Sequence, residues 1–146
     1  KTVMNRKPDS ALGKIFGGTA LISISLQSAF ITAMTLTAFA AVNKTGVSTA
    51  MSMAFGVLGM SQIFHCYNSK SAGSIFNKHI FSNRFMNFSA ILALFIIIFL
   101  LLTPAGYVFG MTVLTFKQFM ISLGLSLLII PFCELLKIIK HIAHFE

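Results

Sequence analysis

Long apolar runs separated by short polar segments dominate the chain. Four stretches, 15–42, 49–67, 85–103 and 117–136, are mostly apolar over about 18 residues or more. A helix of that length, rising about 1.5 Å per residue, crosses a hydrocarbon core of about 30 Å. The run 92–102 does not alternate between apolar and polar residues, as strands of a membrane barrel do. The pattern therefore predicts an all-α, polytopic bundle of four transmembrane helices.

Basic residues are concentrated in three of the segments that separate or flank these spans. The segments 1–14, 68–84 and 137–146 contain nine of the eleven Lys and Arg residues, and the two other connections contain only Lys44 and Lys117. Short cytosolic loops of membrane proteins carry an excess of Lys and Arg. We therefore predict a cytosolic loop, a basic cytosolic loop and a cytosolic tail in these three segments, with both termini in the cytosol.

Composition supports the membrane assignment and narrows the partners. Apolar residues make up 56% of the chain, charged residues only 10%, and the mean hydropathy is +0.88. Such values are not typical of a water-soluble domain. The net charge of +8 follows the alternation of the loops and does not form one patch. We therefore expect the lipid bilayer as a partner and no nucleic acid.

Side chains with catalytic or metal-binding chemistry are scarce. The acidic residues are only Asp9, Glu134 and Glu146, and the two cysteines, Cys66 and Cys133, lack the spacing of a zinc or redox site. The sequence contains no glycine loop for phosphate binding and no pairing of a nucleophile with a base. We expect no catalytic residue and no certain metal site in this chain, and we interpret both cysteines as small apolar residues.

Polar side chains inside the first two spans need partners. Hydroxyl groups recur on one face of the first span, at Ser25, Ser28, Thr32 and Thr35. Such stripes usually mark contacts between helices, and an ion path is the alternative. The second span ends with Gln62, His65 and Asn68 at helical spacing. These three either bind something that crosses the membrane or hold the helix to its neighbours; for His65 and Asn68, capping and solvation at the helix exit suffice.

The fourth span contains one carboxylate and one proline. Glu134 stands three residues before Lys137 on the same helix face, which predicts a structural ion pair near the membrane interface. A functional role for this carboxylate within the membrane is the alternative. Pro131 predicts a kink, and Thr115 is a candidate N-cap at the start of the span.

Four segments, taken in order, resemble parts of one known family. TVMNRKPDS (2–10) is similar to the cytosolic loop after the sixth membrane helix of P-type cation-transporting ATPases, and MAFGVLGMSQIFHCYNSKS (53–71) to their eighth helix and its exit. SIFNKHIFSNRFMNFS (74–89) resembles the following loop and the start of the ninth helix, and LTFKQFMISLGLSLLIIPFCELLKIIK (114–140) resembles the tenth. The chain thus resembles the C-terminal transmembrane region of these pumps, helices seven to ten, with calcium pumps most similar.

This resemblance implies an activity that is completed outside the chain. Such pumps run an ATP-driven cycle with Mg²⁺ and an aspartyl-phosphate intermediate, and the calcium branch exchanges cytosolic Ca²⁺ for protons. The phosphorylated aspartate and the nucleotide site are implied to lie upstream of Lys1, and the main ion ligands in helices four to six. The chain would then be part of a calcium-transporting ATPase in a bacterial plasma membrane, with the remaining helices and cytosolic domains as its partners.

The resemblance also singles out Gln62. Aligned on residues 68–69, Gln62 takes the position at which pumps that carry two calcium ions have a liganding glutamate. An amide offers Ca²⁺ one carbonyl oxygen without charge, so a second calcium site is in doubt. Gln62 is therefore either a cation-site residue or, as we favour, a packing residue in a single-site pump, hydrogen-bonded across helices to Ser25 or Ser28.

Arg6 and Lys7 lie in the first basic segment. In the family this loop lies beneath the phosphorylation domain and helps to couple phosphorylation to the ion sites. The resemblance therefore implies a coupling role for both residues, and placement of the loop in the cytosol is the alternative explanation of their charge.

Two other kinds of protein remain as alternatives. The first is a free-standing four-helix transporter or an accessory subunit, although small exporters of that size rely on a carboxylate in the first span, and this first span has none. The second is a P-type pump for another cation, such as Na⁺, K⁺, H⁺ or Mg²⁺. A glutamine at the Gln62 position also occurs among sodium pumps, so the transported ion is less firmly implied than the family.

Overall fold

A computed structural model describes residues 18–42, 46–70 and 80–143 of the chain. The described residues form five α-helices: α1 (Gly18–Val42), α2 (Val47–Lys70), α3 (Arg84–Leu102), α4 (Phe116–Leu127) and α5 (Ile129–Ala143). Two short 3₁₀ helices, Ile80–Ser82 and Pro104–Phe109, lie before and after α3. Within these ranges there is no β-strand, so the predicted all-α class is confirmed.

Four helical stretches are long and apolar enough to cross a membrane. They are Leu21–Val42 in α1, Val47–Lys70, Arg84–Leu102, and Phe116–Lys140, the last formed by α4 and α5 together. The number of spans is therefore the predicted one. Two helices run further than the apolar runs alone indicated: residues 68–70 are helical, and α5 continues through the predicted tail to Ala143.

The helix α2 is the centre of the bundle, because it packs against α1, α3, α4 and α5. Its buried face carries small residues among larger apolar ones: Ala50, Ser52, Met53, Gly56, Val57, Met60 and Ser61. Small residues let membrane helices approach closely. A Cβ atom built on Gly56 would lie 2.8 Å from Leu101 Cδ1, and one on Gly59 would lie 2.8 Å from Ile97 Cδ1. The two glycines thus set the distance between α2 and α3.

A second apolar contact joins α1 to α5. Ile31, Ile129 and Cys133 form a small buried cluster, and the Phe30 and Phe132 rings stack with centroids 4.0 Å apart. Stacked aromatic pairs contribute about 0.5–1.5 kcal/mol beyond the area that they bury. This contact holds α5 beside α2, where the polar groups described below meet.

Local sequence signals explain where the fourth span begins and bends. Thr115 accepts a hydrogen bond from Gln118 N and the Gln118 side chain accepts one from Thr115 N, which is a complete capping box, so the predicted N-cap is confirmed. The span then breaks at Leu128, between α4 and α5. Pro131 has no N–H to donate to the carbonyl of Leu127, so the regular helical hydrogen bonds are interrupted here.

The end of the bundle opposite Lys70 is held by one buried serine. Ser52 Oγ accepts a hydrogen bond from Thr112 N at 2.8 Å and donates one to Ser48 O at 2.9 Å. Thr112 Oγ1 lies 3.3 Å from Thr49 Oγ1. The segment between α3 and α4 is thereby attached to the start of α2.

Replacing Ser52 by alanine is expected to leave the Thr112 N–H without an acceptor. An unpaired buried donor costs about 1–3 kcal/mol, and because Thr112 is only partly buried we expect the low end, about 1 kcal/mol. We expect faster hydrogen–deuterium exchange at the Thr112 amide and a lower unfolding temperature. Ser126 is the matched control, since it is also fully buried but donates only to Leu123 O of its own helix. Equal effects of Ser52→Ala and Ser126→Ala would contradict this interpretation.

Candidate functional site

Three polar side chains join α2 to α5 near Lys70. Lys137 Nζ donates to Glu134 Oε1 at 2.9 Å and to Asn68 Oδ1 at 3.3 Å. Asn68 is only 2% exposed, and the side chains of Lys137 and Glu134 are about one fifth exposed, at 22% and 19%. The i, i+3 contact that the sequence predicts is present, and Lys137 extends it to a second helix. We call Asn68, Glu134 and Lys137 the α2–α5 bridge.

The buried amide of Asn68 is incompletely paired. Its Nδ2 atom has no hydrogen-bond partner within the described residues. Because α2 continues to Lys70, Asn68 does not end the helix, and the expectation that it caps or solvates the helix exit is wrong. Its role is instead to meet α5 inside the bundle.

His65 lies one turn before Asn68 and contacts two side chains. Its Nδ1 atom is 3.7 Å from Cys133 Sγ on α5, and its Nε2 atom is 3.3 Å from Ser69 Oγ. The sequence offered no partner for this histidine, whereas the structure supplies one from each helix. Cys133 is buried, Cys66 is exposed, and both are free thiols.

Gln62 lies on the opposite side of α2 from the core. Exposed residues recur along that side at helical spacing: Met51, Phe55, Leu58, Gln62, Cys66 and Ser69. We call this the open face of α2. Gln62 makes no hydrogen bond within the described residues, so the expected bond to Ser25 or Ser28 is not formed in this chain.

The hydroxyl stripe of α1 also differs from expectation. Ser25, Ser28 and Thr32 are exposed, and they do not pack against the described helices. Thr32 Oγ1 donates to Ser28 O and Thr35 Oγ1 donates to Ile31 O, both at 2.9 Å. These threonine hydroxyls are therefore satisfied by their own helix, and the buried face of α1 carries Ile31 and Ala38 instead.

The described residues do not form a metal site on their own. No group of three or more His, Cys, Asp or Glu side chains comes together among residues 18–42, 46–70 and 80–143. Gln62 offers one neutral oxygen, whereas Ca²⁺ takes six to eight oxygen ligands. Arg6 and Lys7 lie outside the described residues, so the structure gives no geometry for a coupling loop.

Comparison with known proteins assigns the chain to a family. The profile of the family described as "Cation transporting ATPase, C-terminus" matches residues 1–139. The chain belongs to this family. The resemblance recognised in the four sequence segments is thereby confirmed, and with its four helical spans the chain is a multi-pass integral membrane region of a P-type cation ATPase.

One curated relative within this family has a more specific description. The chain is 28% identical, over 158 aligned residues, to "Calcium-transporting ATPase 1" of Bacillus cereus (strain ATCC 10987 / NRS 248). The alignment covers 94% of this chain and 18% of that relative, so the chain spans less than a fifth of the relative's length. No solved structure matches the chain with statistical support.

Proposed function

We propose that this chain is the C-terminal membrane portion of an ATP-driven P-type pump that exports Ca²⁺ from a bacterial cell in exchange for protons. The family supports a cation ATPase, and the calcium-transporting Bacillus relative supports the choice of ion. ATP, Mg²⁺ and the phosphorylated aspartate belong to the part of the pump outside this chain. The chain's own task is to support the ion pathway and to connect it to the cytosolic domains.

The position of Gln62 is the observation that carries this proposal. Its amide lies inside the predicted span, on the open face of α2, without a partner in the described residues. Leaving an amide without a hydrogen bond in an apolar environment costs about 2–7 kcal/mol. At Gln62 the open face is therefore better suited to further protein than to lipid, which fits helices from the larger part of a pump.

Within the pump, Gln62 belongs to the contact between this chain and the upstream helices. We propose that the amide hydrogen-bonds to those helices and that the pump binds a single calcium ion on ligands outside the chain. The sequence of the described residues agrees with this division, since no carboxylate lies on the open face of α2. The coupling role of Arg6 and Lys7 stays a prediction of the family resemblance.

The experiment is ATP-dependent ion uptake into inverted vesicles that contain the full-length protein, with radioactive calcium and an internal pH dye. We expect calcium to enter, the interior to become more alkaline, and both signals to require ATP and Mg²⁺. ATP-dependent accumulation of Na⁺, K⁺ or Mg²⁺ inside the vesicles, in the absence of calcium, would assign another cation. Transport without ATP would revive the free-standing transporter.

In the same assay Gln62→Ala is expected to lower the maximal rate and to leave the calcium concentration for half-maximal uptake within about twofold, which is about 0.4 kcal/mol. The matched control is Cys66→Ala, one turn further along the open face and without an amide to satisfy. We expect Cys66→Ala to change neither quantity. A tenfold or larger loss of calcium affinity in Gln62→Ala alone would mean that Gln62 ligates the ion.

A further inference from the structure

The turn between α3 and α4 exposes three adjacent apolar or aromatic side chains. Tyr107 is 59% exposed, Val108 85% and Phe109 66%. They form the tip of the 3₁₀ helix Pro104–Phe109, immediately after the membrane-spanning helix α3. We call residues 107–109 the apolar tip. A turn that met only water would not be expected to present such side chains so fully.

The sequence around the apolar tip is uncharged as far as Lys117, in the first turn of α4. Residues 85–116, which include all of α3 after its first residue and the whole turn, contain no Asp, Glu, Lys, Arg or His. The other end of α3, by contrast, begins with Arg84, and Lys70 ends α2 nearby. The tip therefore lacks the charged residues that hold most surface turns in water.

Several backbone donors of the turn are paired within the turn or with the end of α3. Gly110 N donates to Tyr107 O at 3.0 Å, Met111 N to Gly106 O at 3.1 Å, and Leu114 N to Leu101 O at 2.8 Å. Unpaired backbone groups exclude irregular segments from contact with lipid tails. Because these donors are paired, the cost of bringing the turn to the boundary between headgroups and acyl chains is lowered.

The apolar tip follows directly after the exposed apolar side of α3. Phe95, Phe99 and Leu102 are exposed along α3, toward its end at the turn. A helix of 19 residues is about 28 Å long, close to the thickness of the hydrocarbon core. The end of α3 therefore reaches the membrane interface, where Tyr and other aromatic rings are enriched.

We propose that residues 107–109 insert into the lipid interface of the leaflet opposite Lys70 and anchor the α3–α4 corner there. The partner is the bilayer itself, at the depth where glycerol and upper acyl groups meet. The proposal requires only that the chain spans a membrane, so it stands apart from the identity of the transported cation.

The anchor is connected to the central helix. Thr112, three residues after Phe109, donates its N–H to the buried Ser52 of α2. The depth of the apolar tip in the lipid therefore determines how deep the Ser52 end of α2 lies in the membrane. Through α2 it also sets the level of Gln62 in the membrane.

Spin labelling of the full-length protein in lipid nanodiscs tests the proposal. In a cysteine-free version, a label is placed at Val108→Cys, and its collisions with oxygen, which concentrates in lipid, are compared with those of a water-soluble nickel complex. Phe95→Cys on exposed α3 is the control for the membrane interior, and Lys140→Cys, which replaces an exposed charged residue of α5, is the water control. We expect the ratio of oxygen to nickel collisions at position 108 to lie clearly above the ratio at position 140 and below the ratio at position 95.

Two results would overturn the proposal. Nickel accessibility equal to that of position 140 would make the tip an ordinary loop in water. Low accessibility to both reagents would mean that another part of the protein covers it. If removal of the cysteines prevents folding, Val108→Trp in the native background, quenched by brominated lipid and compared with the unsubstituted protein, distinguishes the same outcomes.

Discussion

Replacing Gly106 by alanine is expected to cost about 2–3 kcal/mol of stability, as forced overpacking does. A Cβ atom at this position would collide with the carbonyl oxygen of Leu100 and lie 3.4 Å from Met111 Cβ. The carbonyl belongs to α3 and cannot move away as the end of a flexible side chain could. The turn must therefore shift, and with it the attachment of Thr112 to Ser52.

The measurement is the unfolding temperature of the full-length protein in detergent, determined from the fraction of protein that stays monodisperse after heating. Gly124→Ala is the matched control, because a Cβ there meets nothing within 4 Å and alanine favours a helix by about 1 kcal/mol over glycine. Gly110→Ala separates the effect of a steric collision from the effect of backbone conformation. At this position φ is +71°, which alanine disfavours, but the added Cβ would meet no atom within 4 Å. Gly106→Ala as stable as Gly124→Ala would show that the turn adapts without loss.

Signals that lie within a few residues were readable from the sequence. The apolar runs gave the number and class of the spans, because crossing a membrane requires a fixed length of helix whatever its neighbours are. Thr115 and Gln118 satisfy each other's backbone groups three residues apart, so their capping box follows from local spacing. Pro131 similarly indicated an interruption, although only the structure places the break at Leu128.

Which face of a helix meets which neighbour was not readable. Helical spacing places Ser25, Ser28 and Thr32 together, but it does not say whether their common face turns inward or outward. In the structure it turns outward, as does Gln62 on α2. In a chain that is one part of a larger membrane protein, a polar face can be completed by helices that the sequence in hand does not contain.

Contacts between distant segments were also missed. His65 meets Cys133 across 68 positions of sequence, and Asn68 meets Lys137 across 69. Neither pair has a local signature, because the contact depends on how α5 is held beside α2 by Phe30, Phe132 and their neighbours. The ion pair of Glu134 was predictable, whereas its extension to a second helix was not.

These contacts fix α2 at both ends. Ser52 is bound to the turn after α3, and Asn68 is bound to α5, about 24 Å further along the helix at 1.5 Å per residue. Gln62 lies between the two attachments and faces outward. A central helix held in this way keeps its open face at a constant height, as the proposed contact with upstream helices of the pump requires.

Lys137→Met is therefore expected to loosen the contact between α2 and α5. Removing one partner of a buried ion pair costs about 3–5 kcal/mol, and the partial exposure of both side chains places this pair at the low end, about 3 kcal/mol. Glu134 would lose the lysine of its ion pair, and Asn68 Oδ1 would lose its donor. The reaction of the buried Cys133 with a thiol reagent reports this opening, because Cys133 lies next to the bridge on α5.

Two further variants decide whether the loss comes from the carboxylate of Glu134 once its lysine has been replaced. Glu134→Gln combined with Lys137→Met should react at Cys133 more slowly than Lys137→Met alone, since the double variant removes both charges of the ion pair. Lys140→Met, which removes an exposed lysine from the same helix, should leave the reaction rate unchanged. If the double variant opens as readily as Lys137→Met, the charge of Glu134 is not the cause. The stabilisation would then come from the Asn68–Lys137 contact and from packing of the lysine stem between the two helices.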